Sequence, residues 1–437
     1  MFKELFNKCY AISAKMSLGT IALILILGVY HLPGAAMKLR NREIYTDNHT
    51  NQMEDKLAQT GYMDISMKLV SANNQFAFQL FSEIHKSQSN KNIFISPSSI
   101  AIALSMTYNG AGGKTQEAMA KTLNFQGMSL EEVNHANRQL GNLLNSLNSE
   151  IELDIGNSIW TKKGTSFDQN FLQRNQYFYQ SKVSEIDFNN PQTPDIINNW
   201  VKDCTEGKIA QIIDKLEPDA VMVLLNAIYF KANWEQEFSE NSTKELPFNL
   251  PNGRQKQHPI MFQSSENLYY EDEDFQAISL PYGEGRVSMY IFLPREQVGL
   301  EKFYQSLNDK NWEDWMVMFD YHKVNLGLPK FKTEYEVTLN NVLKSLGMEI
   351  AFDKRSADFS GMRLTPPELY IDEVKHKTFV EVNETGTEAA ATTSVRMGTR
   401  SAEIVVNMLV DRPFFFAIRD NDSGTILFMG EITNPET

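Results

Sequence analysis

An α+β fold is the class this sequence predicts, on three observations. Apolar residues recur at helical spacing in several segments of the first half of the chain. The run Ala220 to Phe230 is apolar almost throughout and is broken only at Asn226, as in a strand buried on both faces. From Leu369 onward the chain is written mainly in strand period and closes in a hairpin.

Taken in order, Ser71 reads as the cap of a helix carrying Phe76, Leu80, Phe81 and Ile84 on one face. Asn92-Ile93-Phe94-Ile95 is a short strand. Ser96-Pro97 then supplies a cap and a proline at the first helical position. Ser99 to Tyr108 is apolar nearly all round, which marks a buried central helix, and Asn109-Gly110-Ala111-Gly112-Gly113 ends it. Ser129-Leu130-Glu131-Glu132 is a capping box opening a helix toward Leu147, with Arg138 its only basic residue. Ile151, Leu153 and Ile155 alternate into a strand that continues through Trp160. Ile197 to Ile213 reads as a helix with Trp200, Cys204 and Ile209 inward, interrupted near Gly207. Asn226, inside its apolar strand, is a buried polar group that needs partners. Leu369 to Val382 and Ile404 to Val410 are strands, and Phe414 to Ile418 pairs with Thr425 to Met429 across Asp420-Asn421-Asp422-Ser423-Gly424.

Residues 384 to 401 look like a loop but carry a strand pattern. Thr387, Ala389, Ala391, Thr393, Val395 and Met397 form an uncharged set. The alternate set, Glu388, Ala390, Thr392, Ser394, Arg396 and Gly398, is mostly polar. A period of two with one uncharged face suits a half-buried strand, yet these residues bring little apolar mass to hold one down. The segment therefore reads as an exposed loop able to become an inserted strand.

With 437 residues, 42% hydrophobic and 11% aromatic, the chain is long enough for a large core. A net charge of −14 without a basic run argues against nucleic acid and heparin-like partners. The two cysteines are Cys9 and Cys204; once a leader is removed no intrachain disulfide remains, and Cys204 reads as a small buried hydrophobe. No metal-ligand spacing, nucleophile elbow or phosphate-binding loop is present, so no metal and no cofactor is expected. Lys3, Lys8 and Lys15 precede the apolar run Leu18 to Leu32, and Pro33-Gly34-Ala35-Ala36 follows. That order reads as a signal peptide or an uncleaved signal anchor over residues 1–36, hence a secreted, extracellular protein or a membrane-anchored one. Residues 37–67 are polar and aperiodic and read as a linker, leaving 68–437 as the folded domain.

The hinge-like stretch Gly386-Thr387-Glu388-Ala389-Ala390-Ala391-Thr392, the segment Met408 to Ile418 and the segment Asn92 to Ile100 resemble the serpins, over about residues 68 to 435. The resemblance implies about nine helices around three β-sheets with an exposed reactive-centre loop. It puts Ser96, Ser99, Asn226 and His376 in a shutter beneath the main sheet. Trp234, Lys330 and Glu384 would form the breach at its top. Glu384 would also open the hinge of Gly386, Thr387, Glu388, Ala389, Ala390, Ala391 and Thr392. Counting fourteen residues from Gly386, as in family members, gives Arg400 and Ser401 as the reactive bond, with Arg396 a second basic site in the loop. The implied activity is inhibition of a trypsin-like serine protease as a covalent complex, by a monomer that is not itself an enzyme. The acidic helix after Ser129 implies no heparin cofactor. Two rivals remain open at this stage: a non-inhibitory serpin-like carrier or chaperone, and a secreted hydrolase.

Overall fold

A computed structural model describes residues 62–88, 90–145, 151–216, 220–363, 369–387 and 405–437, all within one unit, Gly61–Thr437. The first helix, α1 (Tyr62–Ser87), begins ahead of Ser71, inside the stretch expected as linker. Ser71 is instead a solvent-facing residue of the helix, a place serine tolerates at small cost. Phe76, Leu80, Phe81 and Ile84 are buried as their spacing requires.

The strand β1 (Ile93–Ile95) passes straight into α2 (Pro97–Tyr108), in which every residue but Ala103 is buried. Then come α3 (Gly113–Thr122) and α4 (Leu130–Leu144), opened by the reciprocal Ser129–Glu132 capping box. The chain continues through β2 (Ile151–Lys162), α5 (Gln169–Tyr179), β3 (Lys182–Ile186), α6 (Thr193–Cys204) and β4 (Met222–Asn233). The helix expected to reach Ile213 stops at Cys204 and does not resume after Gly207, which takes φ +85°. Asn198 explains why. Its Oδ1 accepts from the N–H groups of Ile212 and Ile213 at 2.9 and 3.0 Å, and its Nδ2 donates to the Ile213 carbonyl at 2.7 Å. The side chain thus holds the following segment in a non-helical path.

A block of strands follows: β5 (Lys244–Asn249), β6 (Gln255–Glu271), β7 (Phe275–Tyr282) and β8 (Val287–Pro294). Two helices, α7 (Gly299–Ser306) and α8 (Asp309–Met318), lead to β9 (Asp320–Pro329), β10 (Phe331–Thr338) and the single turn α9 (Asn340–Leu343). The last elements are β11 (Lys375–Val382), β12 (Gly386–Thr387), β13 (Val405–Leu409), β14 (Phe414–Asp420) and β15 (Ile426–Ile432). The described residues thus hold nine α-helices, matching the expected fold class.

Two hydrogen-bonded sheets carry the strands. One has six strands in the order β10-β11-β12-β4-β2-β3. The other runs β1-β15-β14-β8-β7-β6-β9-β13, with β5 also on β6. The 17-residue β6 joins what would otherwise be two sheets: β5 pairs only with its first part and β7 only with its last three residues. The main core lies between the two sheets and the helices around them. A second, smaller core sits under α6, where Ile197, Trp200 and Val201 meet Trp160 and Ala227. β4 feeds both: Ile228, Phe230 and Ala232 belong to the first, and Val223, Leu225 and Ala227 to the second. That is why its sequence is apolar without alternation.

Candidate functional site

The six-stranded sheet is parted. β11 and β4 are not neighbours in its order; β12 stands between them. Thr387 lies opposite Val382 of β11 on one side and Ala232 of β4 on the other, while Gly386 lies opposite Asn233. Two residues of the hinge-like stretch are therefore already strand. Gly386 makes this close approach feasible: its φ is +153°, and a Cβ there would lie 2.2 Å from the Ala232 carbonyl oxygen. Thr387 is only 2% exposed, so the side chain that the period-two pattern turned inward is inside.

The mouth of this lane is built around Glu384. Its carboxylate accepts from Lys330 Nζ at 2.7 Å and from Thr243 Oγ1 at 2.7 Å. Burial pushes its pKa up, but these hydrogen bonds and the lysine charge outweigh that, and the carboxyl is held below the usual range. The Glu384 carbonyl accepts from the Phe238 N–H at 2.8 Å. Trp234 binds the same turn twice: its N–H donates to the Thr385 carbonyl at 2.9 Å and its indole Nε1–H to the Asn383 carbonyl at 3.0 Å. Asn383 closes the turn by accepting from the N–H groups of Thr385 and Gly386 at 3.1 and 3.2 Å. Below them Tyr282, fully buried, stacks on Trp234 at 4.4 Å and meets the Thr387 hydroxyl at 2.8 Å.

Farther down, the polar groups lie under the sheet. Ser96 ends β1 in an extended conformation and caps α2, its Oγ accepting from the Ser99 N–H at 3.3 Å. The Ser96 N–H donates to His376 Nε2 at 3.0 Å, and Ser96 Oγ donates to the Leu427 carbonyl at 2.8 Å. Ser99 Oγ donates to Asn226 Oδ1. Asn226 Nδ2 donates to Asn157 Oδ1 at 2.7 Å, and Asn157 Nδ2 to the Tyr179 carbonyl at 2.8 Å. The cap of α2 thus joins His376 on β11 to Asn226 on β4, the two strands that flank the lane. Burial pushes the His376 imidazole down to about 3, so it is neutral and its Nε2 is free to accept.

The structure therefore brings Ser96, Ser99, Asn226 and His376 into one network, and Trp234, Lys330 and Glu384 into another. Sequence reasoning did not find Asn157, Thr243, Asn383 or Tyr282. Asn383 was within reach, since an asparagine three residues before a glycine is a turn signal. The other three are brought in by pairing across the sheets and carry no local signature. Glu388, Ala389, Ala390, Ala391, Thr392, Arg400 and Ser401 lie outside the described residues.

The arrangement is a specific one: an α+β body with the start of a loop paired inside a parted sheet. A family model described as serpin (serine protease inhibitor) matches residues 71–435. Serpin B6 of Pongo abelii is 36% identical over 376 residues, spanning 84% of this chain and 99% of the relative. Leukocyte elastase inhibitor of Homo sapiens is 36% identical over 380 residues, spanning 84% and 100%. The crystal structure of the thermophilic serpin tengpin in its native state superposes with a TM-score of 0.78 at 33% identity, covering 86% of this chain and 95% of that one. The chain belongs to the serpin family. Serpins form complexes with target serine proteases and inhibit them rather than act as enzymes.

These relatives correct one expectation. Serpin B6 and leukocyte elastase inhibitor are intracellular serpins, which points away from the secreted, extracellular protein that residues 1–36 suggested. The physical reason is that a lysine-flanked apolar run records hydropathy and charge order, which a leader shares with other apolar segments. Residues 1–61 lie outside the described residues.

Proposed function

We propose that this serpin is an inhibitor of trypsin-like serine proteases that traps its target by inserting the cleaved loop into the six-stranded sheet. Arg400 presents its guanidinium to the acidic specificity pocket, and the protease serine attacks the Arg400 carbonyl to form the acyl-enzyme. Release of the Ser401 side frees the loop to enter the lane between β4 and β11 as a new strand, a mode of strand addition of which serpin loop insertion is a recognised case. In an inserted strand the period-two pattern would turn Thr387, Ala389 and Ala391 inward without charge and Glu388, Ala390 and Thr392 outward. The small residues of this hinge favour an inhibitor over a carrier, because each inward position is buried during insertion.

The observation that carries the reading is β12: Gly386 and Thr387 sit between β4 and β11, where an inserting strand begins. No polyanionic cofactor is part of the proposal. The test is to mix the protein with trypsin and run a denaturing gel. A band at the summed mass that survives boiling is expected, together with cleavage after Arg400. A nicked chain alone, no more heat-resistant than the intact one, would defeat the proposal.

A further inference from the structure

We propose that Tyr282 is a positioning residue for loop insertion: its hydroxyl fixes Thr387 against the nine-stranded sheet and so sets the fraction of encounters that end in trapping. This inference rests on the inhibitory reading above. The backbone of Thr387 is paired with the two strands that must part, β4 and β11. Its side chain is tied elsewhere. The Thr387 Oγ1 lies 2.8 Å from the hydroxyl of Tyr282, on β7. β7 pairs with β6 and β8, and neither belongs to the six-stranded sheet. The first inserted side chain is thus held from the end of β7, which is bridged to Trp234 just past β4 and so stays with that wall of the lane when β11 moves away.

The ring that presents this hydroxyl is fixed on two sides. Trp234 stacks on it at 4.4 Å with planes 12° apart, and Phe230 meets it edge-on at 5.3 Å. Trp234 also holds the turn before Gly386 through the Thr385 and Asn383 carbonyls. One aromatic pair therefore fixes both the turn and the first inserted side chain. Tyr282 is fully buried, and burial drives its phenol far above the usual range. It remains a neutral hydroxyl, able to donate to Thr387 or accept from it. If either partner is lost, the other is left buried and unpaired. The threonine in this hinge is then more than an uncharged residue: its hydroxyl has a specific receiver, which valine lacks and serine keeps.

The experiment uses the full chain with trypsin and counts the moles of inhibitor consumed per mole of protease trapped. Tyr282→Phe is expected to raise that ratio roughly threefold or more, because insertion slows while deacylation does not. Thr387→Val should raise it similarly, the double variant should be no worse than either single one, and Thr387→Ser should restore the wild-type ratio. A purely structural role would lower the melting temperature of all variants without this pattern in the ratio. Wild-type ratios in Tyr282→Phe, or additive effects in the double variant, would overturn the inference while leaving the inhibitory reading intact. Should the wild-type protein trap no trypsin, that reading fails separately. The contact is then judged by the same double-variant cycle on the melting temperature of the intact protein, where additive shifts would refute it.

Discussion

The lane between β4 and β11 is bounded by two regions with different chemistry. Beneath it, neutral groups are joined end to end: His376, Ser96, Ser99, Asn226 and Asn157. At its mouth, a charged pair and stacked rings hold a turn: Lys330 with Glu384, and Trp234 with Tyr282. The lower network joins the two flanking strands through the cap of α2, so parting the strands strains it directly. The upper one binds the loop segment itself, through the turn that follows β11. In the proposed mechanism the first resists opening and the second guides what comes in.

The largest effect expected follows from putting a charge where the two regions meet the loop. Thr387→Arg places a guanidinium at a site that is 2% exposed, at a cost of roughly 3–5 kcal/mol if it stays in the sheet. The hinge should leave the lane, and the variant should be cut by trypsin without forming a gel-stable complex. A complex in normal yield would break the distinction between guiding and resisting. Next in size is Asn226→Ala. It strands the Ser99 hydroxyl and the Asn157 amide below the sheet, and stability in urea should fall by about 2–3 kcal/mol. Because this loosens the resisting region, the intact variant should also lose inhibitory activity faster on storage. A loss under about 0.5 kcal/mol would mean the lower network is not what holds the strands together.

How far the sequence foretold this arrangement differs between the two regions. Ser96-Pro97 is a local cap signal, and Asn226 stood out because it breaks an apolar run, so two of the five residues of the lower network were legible from residue type alone. His376 joined it only through the family resemblance, since a lone strand histidine has no pattern of its own. Thr243 and Tyr282 were not legible. They reach Glu384 and Thr387 across gaps of 141 and 105 residues, which no local periodicity records. The end of α6 at Cys204 was missed for a similar reason, because the hydrogen bonds of Asn198 to Ile212 and Ile213 override the apolar spacing.

Acid should separate the regions. The His376 pKa falls from about 6.5 unfolded to about 3 folded, so the unfolded chain binds the extra proton. Its stabilising contribution is complete above pH 6.5 and is lost as pH falls toward 3, at up to about 1.4 kcal/mol per unit. The Glu384 carboxyl is depressed from 4.5, so its contribution declines only below that value. His258, whose Nε2–H donates to the Lys330 carbonyl at 2.5 Å, is also depressed by burial and adds a slope of the same sign. The share of the wild-type urea midpoint carried by these two histidines should therefore drop between pH 7 and pH 5.5, against an opposite-signed share from His85, whose burial is outweighed by Glu431 and Glu301 so that its pKa is raised. His376→Gln should flatten that drop by about 1 kcal/mol while leaving the His258 share in place. An unchanged slope in His376→Gln would mean that the lower region is not the acid-sensitive one.

The smallest effect is expected from Lys330→Met. The lysine side chain is 30% exposed and that of Glu384 8%, so solvent screens the pair from one side. Thr243 still donates to the carboxylate after the substitution, and the backbone bonds from Phe238 and Trp234 to the turn are unaffected. The cost should be about 1 kcal/mol, and the Glu384 pKa should move up toward 4.5 because its nearest positive charge is gone. Salt supplies the sharper reading. A screened ion pair weakens as ionic strength rises, whereas the neutral network around Asn226 does not. The difference in stability between wild type and Lys330→Met should therefore shrink from low to high salt, while that between wild type and Asn226→Ala should stay constant. If both differences respond to salt alike, the contrast between a charged mouth and a neutral floor is not what distinguishes the two regions energetically.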